Sequence, residues 1–160
     1  HTGSHADAPR HFRNRGAAID EIPLQTFVGT AQVLRIDARE TIGPDAIGTP
    51  RAPRLLLRTD AWSDPRAFPE RIPVLTPDAV AHLAAHGVRL LGIDLPSVDP
   101  LDSADLANHH ALGDAGIQIV ESLNLEGVPD GLYELIALPL PLVGADASPV
   151  RAVLRDLLLQ

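Results

Sequence analysis

The stretch TPDAVAHLAAHGVRLLGIDL, residues 76–95, decides the fold class. Thr76 is a side-chain N-cap, Pro77 brings a preset φ to the first helical position, and Asp78 puts a negative charge in the first turn. Val80, Leu83 and Ala84 give the helix one apolar face. Gly87 stops it, because glycine accepts the left-handed conformation common just past a helix C-terminus. Val88 to Leu95 then reads as a short apolar run of the buried-strand type. A helix that feeds directly into a buried strand is an α/β unit.

The flanking sequence extends the pattern. TFVGTAQVLRID alternates and is rich in β-branched residues, which predicts a strand around Phe27–Asp37. RLLLRT, Arg54–Thr59, predicts a second buried strand, whereas Ala38–Pro53 and DAWSDPRAFPERIP are loops. Downstream, Asp102 or Ser103 caps a helix through ADLANHHALGDAG, followed by strands in IQIVESLNL and GLYELIALPL. Ser148 and Pro149 open a final helix with Val150, Val153, Leu154, Leu157 and Leu158 on one side. The expected architecture is α/β, a mixed β-sheet with flanking helices in a single domain over residues 1–160, without internal repeats.

Composition narrows the function. A length of 160 residues suits one substantial core, and an apolar fraction of 45% excludes disorder. The net charge of −8 argues against nucleic acid or an anionic membrane as partner. All 13 basic residues are arginine. With no cysteine there is neither a disulfide framework nor a thiolate metal site, so any metal is held by nitrogen and oxygen. The longest apolar tract, Leu132 to Val143, carries Glu134 and two prolines and is too short to cross a bilayer. The absence of methionine suggests that a natural N-terminal segment precedes His1.

The chemistry concentrates at the start, HTGSHADAPRHF. Its GSH is vector-like, but a cloning scar has no reason to continue into HADAPRHF. His1, His5, Asp7 and His11 are all odd-numbered and would project from one face of an extended chain. Imidazole and carboxylate are good ligands for zinc or manganese, so this is a half-site, with a solvated strand edge as the plainer alternative. His109 and His110 on the predicted helix offer further ligands. Glu121, among Ile119, Val120 and Leu123, is costly to bury unpaired unless it coordinates a cation or faces solvent. His82 and His86 form a competing i, i+4 pair, but Leu83 stands where a thermolysin-like pattern needs glutamate, and His86 suits the helix dipole instead. Trp62 and Tyr133 are as well explained by packing as by substrate contact. There is no phosphate-cradling glycine loop and no nucleophile elbow.

HTGSHADAPRH resembles the H-x-G-T-H-x-D-x-P-x-H motif of the metal-dependent cyclase-like hydrolases, with Ser4 in place of threonine. The likeness continues through LTPDAVAHLAAHGVRLLGIDLPSVDP, ANHHALGDAGIQIVESLNL and YELIALPLPLVGADASPVRAVLRDL, and so covers nearly the whole chain. GIDLPSVDP and ASPVRAVL look more like the bacterial kynurenine formamidase branch than like isatin hydrolases. The resemblance implies a swivelling β/β/α cyclase-like fold and a two-zinc site, with manganese as the other candidate metal. His1 and His5 would ligate the first ion and His109 the second, while Asp7 and Glu121 would touch both; His109 is chosen over His110 by the motif alone. His11 matches the family's proton donor and acceptor. The family also places about fifty residues before this motif, including an aromatic substrate contact, so this chain is expected to lack part of the substrate site.

The activity implied by the likeness is hydrolysis of N-formyl-L-kynurenine to L-kynurenine and formate by a cytoplasmic homodimer in tryptophan catabolism. Bound zinc would lower the pKa of water towards about 7 and polarise the formyl carbonyl. His11, an imidazole of a type that ordinarily titrates near 6.5, would protonate the departing arylamine. A related ring-opening hydrolase of the isatin type and a non-catalytic metal-binding domain are the alternatives.

Overall fold

In a computed structural model the described residues are 3–62, 64 and 66–157. Among the described residues ten strands and three α-helices follow one another: β1 His5–Asp7, β2 Val28–Arg35, β3 Thr41–Ile42, α1 Pro44–Ile47, β4 Arg54–Arg58, β5 Val74–Leu75, α2 Pro77–Ala85, β6 Leu90–Ile93, α3 Ala107–Asp114, β7 Gln118–Glu121, β8 Gly131–Ile136, β9 Ala147–Pro149 and β10 Val153–Asp156. Eight of the strands form one mixed sheet in the order β10-β8-β2-β4-β6-β7-β1-β9, and β3 pairs with β5 in a small parallel sheet. The middle of the large sheet, β2-β4-β6-β7, is parallel; β8 and β10 on one side and β1 and β9 on the other are antiparallel.

Side-chain alternation divides the interior into two cores. In β4, Leu55 and Leu57 face the helices, whose contributions are Ile47, Ala79, Val80, Leu83 and Leu112. Leu56 faces the other way, with Phe27, Val33, Leu90, Val120 and Leu135. All four residues of β6 are buried, as a central parallel strand covered on both faces requires. The decisive stretch forms as expected: Thr76 Oγ1 accepts the Ala79 N–H at 3.2 Å, Pro77 begins α2, and Gly87 takes φ 71° after it.

The predicted final helix is wrong. Ala147–Pro149 is the edge strand beside β1, and Val153–Asp156 is the opposite edge strand beside β8. Val153, 47% exposed, and Leu154 belong to the edge strand β10, while Val150 bridges Pro139 outside both strands, so their one-sided pattern only imitates a helical period. Leu158 lies outside the described residues.

Candidate metal centre

Two short strands next to the edge strand β9, β1 and β7, assemble the site. β1 and β7 pair antiparallel with His5 opposite Glu121 and Asp7 opposite Ile119. Residues two apart share a face, so His5, Asp7 and Glu121 project together. Ser4 Oγ donates to the Ser122 carbonyl at 2.7 Å and fastens the open end of this pair. Ser122 itself holds φ 56°, a strained value for a side-chain-bearing residue, immediately after Glu121. His11 does not extend the strand: Pro9–His11 is a 3₁₀ turn, and it curls His11 back over the site. His1 lies outside the described residues.

The fourth group comes from α3. His109 is 1% exposed; its Nε2 lies 3.6 Å from Asp7 Oδ2 and 3.4 Å from Glu121 Oε1. His5 Nε2 lies 3.6 Å from Asp7 Oδ1 and 3.4 Å from Glu121 Oε2. Two buried acids therefore stand between two imidazoles. His110, one residue on, is only half-buried and meets the edge of Phe12 instead, ring centroids 5.5 Å apart. Gly113 lets Phe12 lie this close to α3, since a Cβ there would sit 2.6 Å from its ring. His11 donates through Nδ1 to Asp146 Oδ2 at 3.2 Å, and its ring centroid is 5.5 Å from that of His109.

The electrostatics are those of a cation cradle. Burial disfavours an imidazolium at His109, yet Asp7, Asp99 and Glu121 outweigh it and push its pKa up to about 11. Burial also opposes charge on His5, and the Glu121 carboxylate, with Asp7, raises its pKa on balance. Burial favours a neutral Glu121, but the His109 and His5 imidazoles beside it hold the carboxyl below its usual range. Among the described residues, Asp7 Oδ1, Asp7 Oδ2 and His109 Nε2 are buried and receive no hydrogen bond. Buried polar atoms are rarely left so, and such atoms on adjoining acid and imidazole groups fit an absent cation. Donor atoms of His5, Asp7 and Glu121 lie within 4.8 Å of one another, as do those of Asp7, His11 and His109. Asp7 belongs to both sets, so the two groups adjoin, and their nitrogen and oxygen donors suit a divalent cation.

Sequence reasoning missed Asp99 and Asp146. Asp99 is buried and accepts the His109 Nδ1–H at 2.7 Å together with the Asn108 and His109 backbone N–H groups at 2.8 and 3.1 Å. A signal existed. The expected cap Ser103 accepts only the Leu106 N–H, and Leu106 at the helix start has no capping side chain, so the first turn of α3 needed an acceptor from elsewhere. Asp146 gave none, because it is brought to His11 from 135 residues away. Trp62 lines a cavity of about 560 Å³ with Ser4, Arg58 and Ser122, and its Nε1 donates to the Ala67 carbonyl. The Tyr133 hydroxyl donates to the Pro129 carbonyl in the loop that leads into β8, a packing role.

The Cyclase family matches residues 1–100. The chain belongs to the cyclase family. Among its relatives, the kynurenine formamidases of Geobacillus thermodenitrificans and Salinibacter ruber are 49% and 50% identical to it, covering 98% of this cyclase-family chain and 77% and 76% of their own lengths. A solved structure described as a potential metal-dependent hydrolase with cyclase activity matches at TM-score 0.84 and 33% identity, over 96% of this chain and 77% of its own. Isatin hydrolase A from Labrenzia aggregata matches at TM-score 0.74 and 27% identity, over 94% of this chain and 71% of its own.

Proposed function

We propose that this cyclase-family chain is a metal-dependent arylformamidase that hydrolyses N-formyl-L-kynurenine to L-kynurenine and formate. The observation that carries the reading is the convergence of His5, Asp7, His109 and Glu121 within ion-pair reach, in a chain about half identical to kynurenine formamidases. In this reading His5 and the undescribed His1 hold one zinc ion, His109 holds a second, and Asp7 and Glu121 serve both; manganese would suit the same donors. Zinc bound there supplies Lewis acidity, lowering the pKa of water towards about 7 and polarising the formyl carbonyl.

The chain's own residues complete the reaction. The expelled arylamine is a poor leaving group until its nitrogen is protonated, and His11 is the group placed to do so. Its Nδ1–H is committed to Asp146, which fixes the ring and leaves Nε2 as the exchanging atom. The imidazoles of His109 and His5 hold the Glu121 carboxyl below its usual range, so it stays ionised to hold a cation rather than take the proton. A homodimer in the cytoplasm, with the 160 residues as one domain, completes this reading and is supported by the family likeness. No helix among the described residues is long and apolar enough to cross a membrane.

The test is metal analysis combined with a formate-release assay on the zinc-loaded protein. Two equivalents of zinc and formate from N-formyl-L-kynurenine are the expected result. Opening of isatin without formate release would transfer the protein to the ring-opening branch, and bound zinc with neither reaction would make it a metal-binding domain.

A further inference from the structure

The acid that most constrains the site is outside the ligand set. We propose that Asp99 is a positioning residue for the metal centre: it holds the proton on His109 Nδ1 and thereby aims the Nε2 lone pair at the Asp7–Glu121 pair. The inference rests on the reading of this cluster as a metal centre.

The geometry is specific. Asp99 follows β6 in the PSVDP loop, 1% exposed, and carries three donors on two oxygens. Oδ1 takes the Asn108 N–H; Oδ2 takes both the backbone N–H and the ring Nδ1–H of His109. One carboxylate thus fixes the first turn of α3 and the side chain borne on that turn. Neither can rotate without breaking a bond to the other's anchor. Asn108 tightens the loop in return, its Nδ2 donating to the Val98 and Leu75 carbonyls at 2.8 and 3.2 Å. Val98 in turn donates its N–H to Glu121 Oε1 at 2.9 Å, so the same loop also sets one oxygen of the carboxylate that faces both imidazoles.

The chemistry follows from the tautomer. A histidine ligates through the nitrogen that carries no proton, and a carboxylate on the other nitrogen fixes which one that is. Asp99 can only accept, so it selects Nδ1–H. Asparagine at this place keeps the shape but offers an amide: its oxygen at the Oδ1 place can still take the Asn108 N–H, while its NH₂ at the Oδ2 place faces Nδ1 and the His109 backbone N–H, which favours a proton on Nε2, where the metal must bind. His5 achieves the same selection with weaker means, its Nδ1 on the Gly3 carbonyl at 3.0 Å.

The experiment compares wild type with Asp99→Asn by zinc competition titration and by proton–nitrogen NMR of histidine-labelled protein. Wild type should show a slowly exchanging, downfield Nδ1–H at His109 before and after zinc loading, with Nε2 shifting on loading. Asp99→Asn should lose that resonance and bind zinc about 10- to 100-fold more weakly. Equal zinc affinity in the two proteins overturns the inference alone, whereas wild-type protein that takes up no zinc overturns the metal-centre reading and the inference with it. If Asp99→Asn does not fold, the wild-type spectrum decides: a His109 ligating through Nδ1, or lacking a protected Nδ1–H, refutes the role.

Discussion

Two helices of this protein carry paired histidines, and only one pair meets a site. On α2, His82 and His86 have the i, i+4 spacing that places two rings on one face, and their centroids are 4.2 Å apart. Yet His82 Nε2 bonds the Gly48 carbonyl and His86 Nδ1 bonds the His82 carbonyl, and among the described residues no carboxylate pairs with either. On α3, His109 and His110 have the spacing that points two rings apart, and one of them enters a cluster of three buried acids. Spacing along a helix is therefore the weaker determinant. What makes an imidazole a ligand candidate is the charge that the neighbouring strands bury opposite it, since a buried carboxylate demands a partner.

The comparison breaks most violently at Glu121. Glu121→Ala should strip bound zinc and reduce turnover by at least about 100-fold, since the acid lies against both imidazoles of the cluster. It should also cost the metal-free protein about 3 kcal/mol, because His109 would keep a buried charge with less to balance it. Zinc analysis and denaturant titration read both effects; a variant that retains two equivalents of zinc removes Glu121 from the shared-ligand role. His11→Ala divides the cluster differently. Turnover should fall about 10²- to 10⁴-fold with zinc content unchanged, as removal of a proton donor requires. Loss of zinc together with turnover would instead make His11 a ligand, a role its proximity to Asp7 and His109 permits.

Much of this is legible in the sequence before any folding is considered. The helix from Thr76 and the strand after it need only local chemistry: the helix forms where its caps place it, and the strand, Leu90–Ile93, lies within the apolar run Val88–Leu95. Glu121 stands out because a charged residue among Ile119, Val120 and Leu123 needs a reason, and it is wholly buried. His5 and Asp7 share a strand face as their even spacing requires, but His11 reaches the site through a turn that spacing could not reveal. Asp146 is invisible for the same reason, its partner lying 135 residues away, and Asp99 shows only as the acceptor that the first turn of α3 lacks, 10 residues from it. The C-terminal strands escape a sequence reading because an edge strand with a few apolar residues offers no period strong enough to outvote a Ser-Pro helix start.

The protonation of the α3 cluster gives a pH signature that the α2 pair cannot. His109 titrates near 6.5 in an unfolded chain and near 11 in the metal-free fold. Between these values the folded state holds a proton that the unfolded state has released, so stability falls as pH rises; below 6.5 the contribution is present in full, and above 11 it is gone. The slope from one such group is at most about 1.4 kcal/mol per pH unit. Metal-free protein should therefore lose about 2 kcal/mol between about pH 7 and about pH 9 in denaturant titrations. Zinc must displace this proton, so its apparent affinity should climb over the same interval. A flat profile in both measurements would mean that Asp7, Asp99 and Glu121 do not hold the proton on His109.

The smallest effect belongs to the other pair. His86 is exposed at the end of α2, where its ring bonds a carbonyl of the last turn and a partial positive charge suits the helix dipole. Truncation to alanine removes that one exposed bond and leaves the apolar face of Ala79, Val80 and Leu83 untouched. His86→Ala should shift stability by no more than about 0.5 kcal/mol and leave zinc stoichiometry and turnover at wild-type values. Because His82 keeps its bond to Gly48, the helix stays anchored to the loop before β4. A variant that lost zinc would show that two imidazoles without an acid can recruit a metal here, and the rule taken from α3 would fail. Retention of both properties would leave the buried carboxylates as the feature that separates the two pairs.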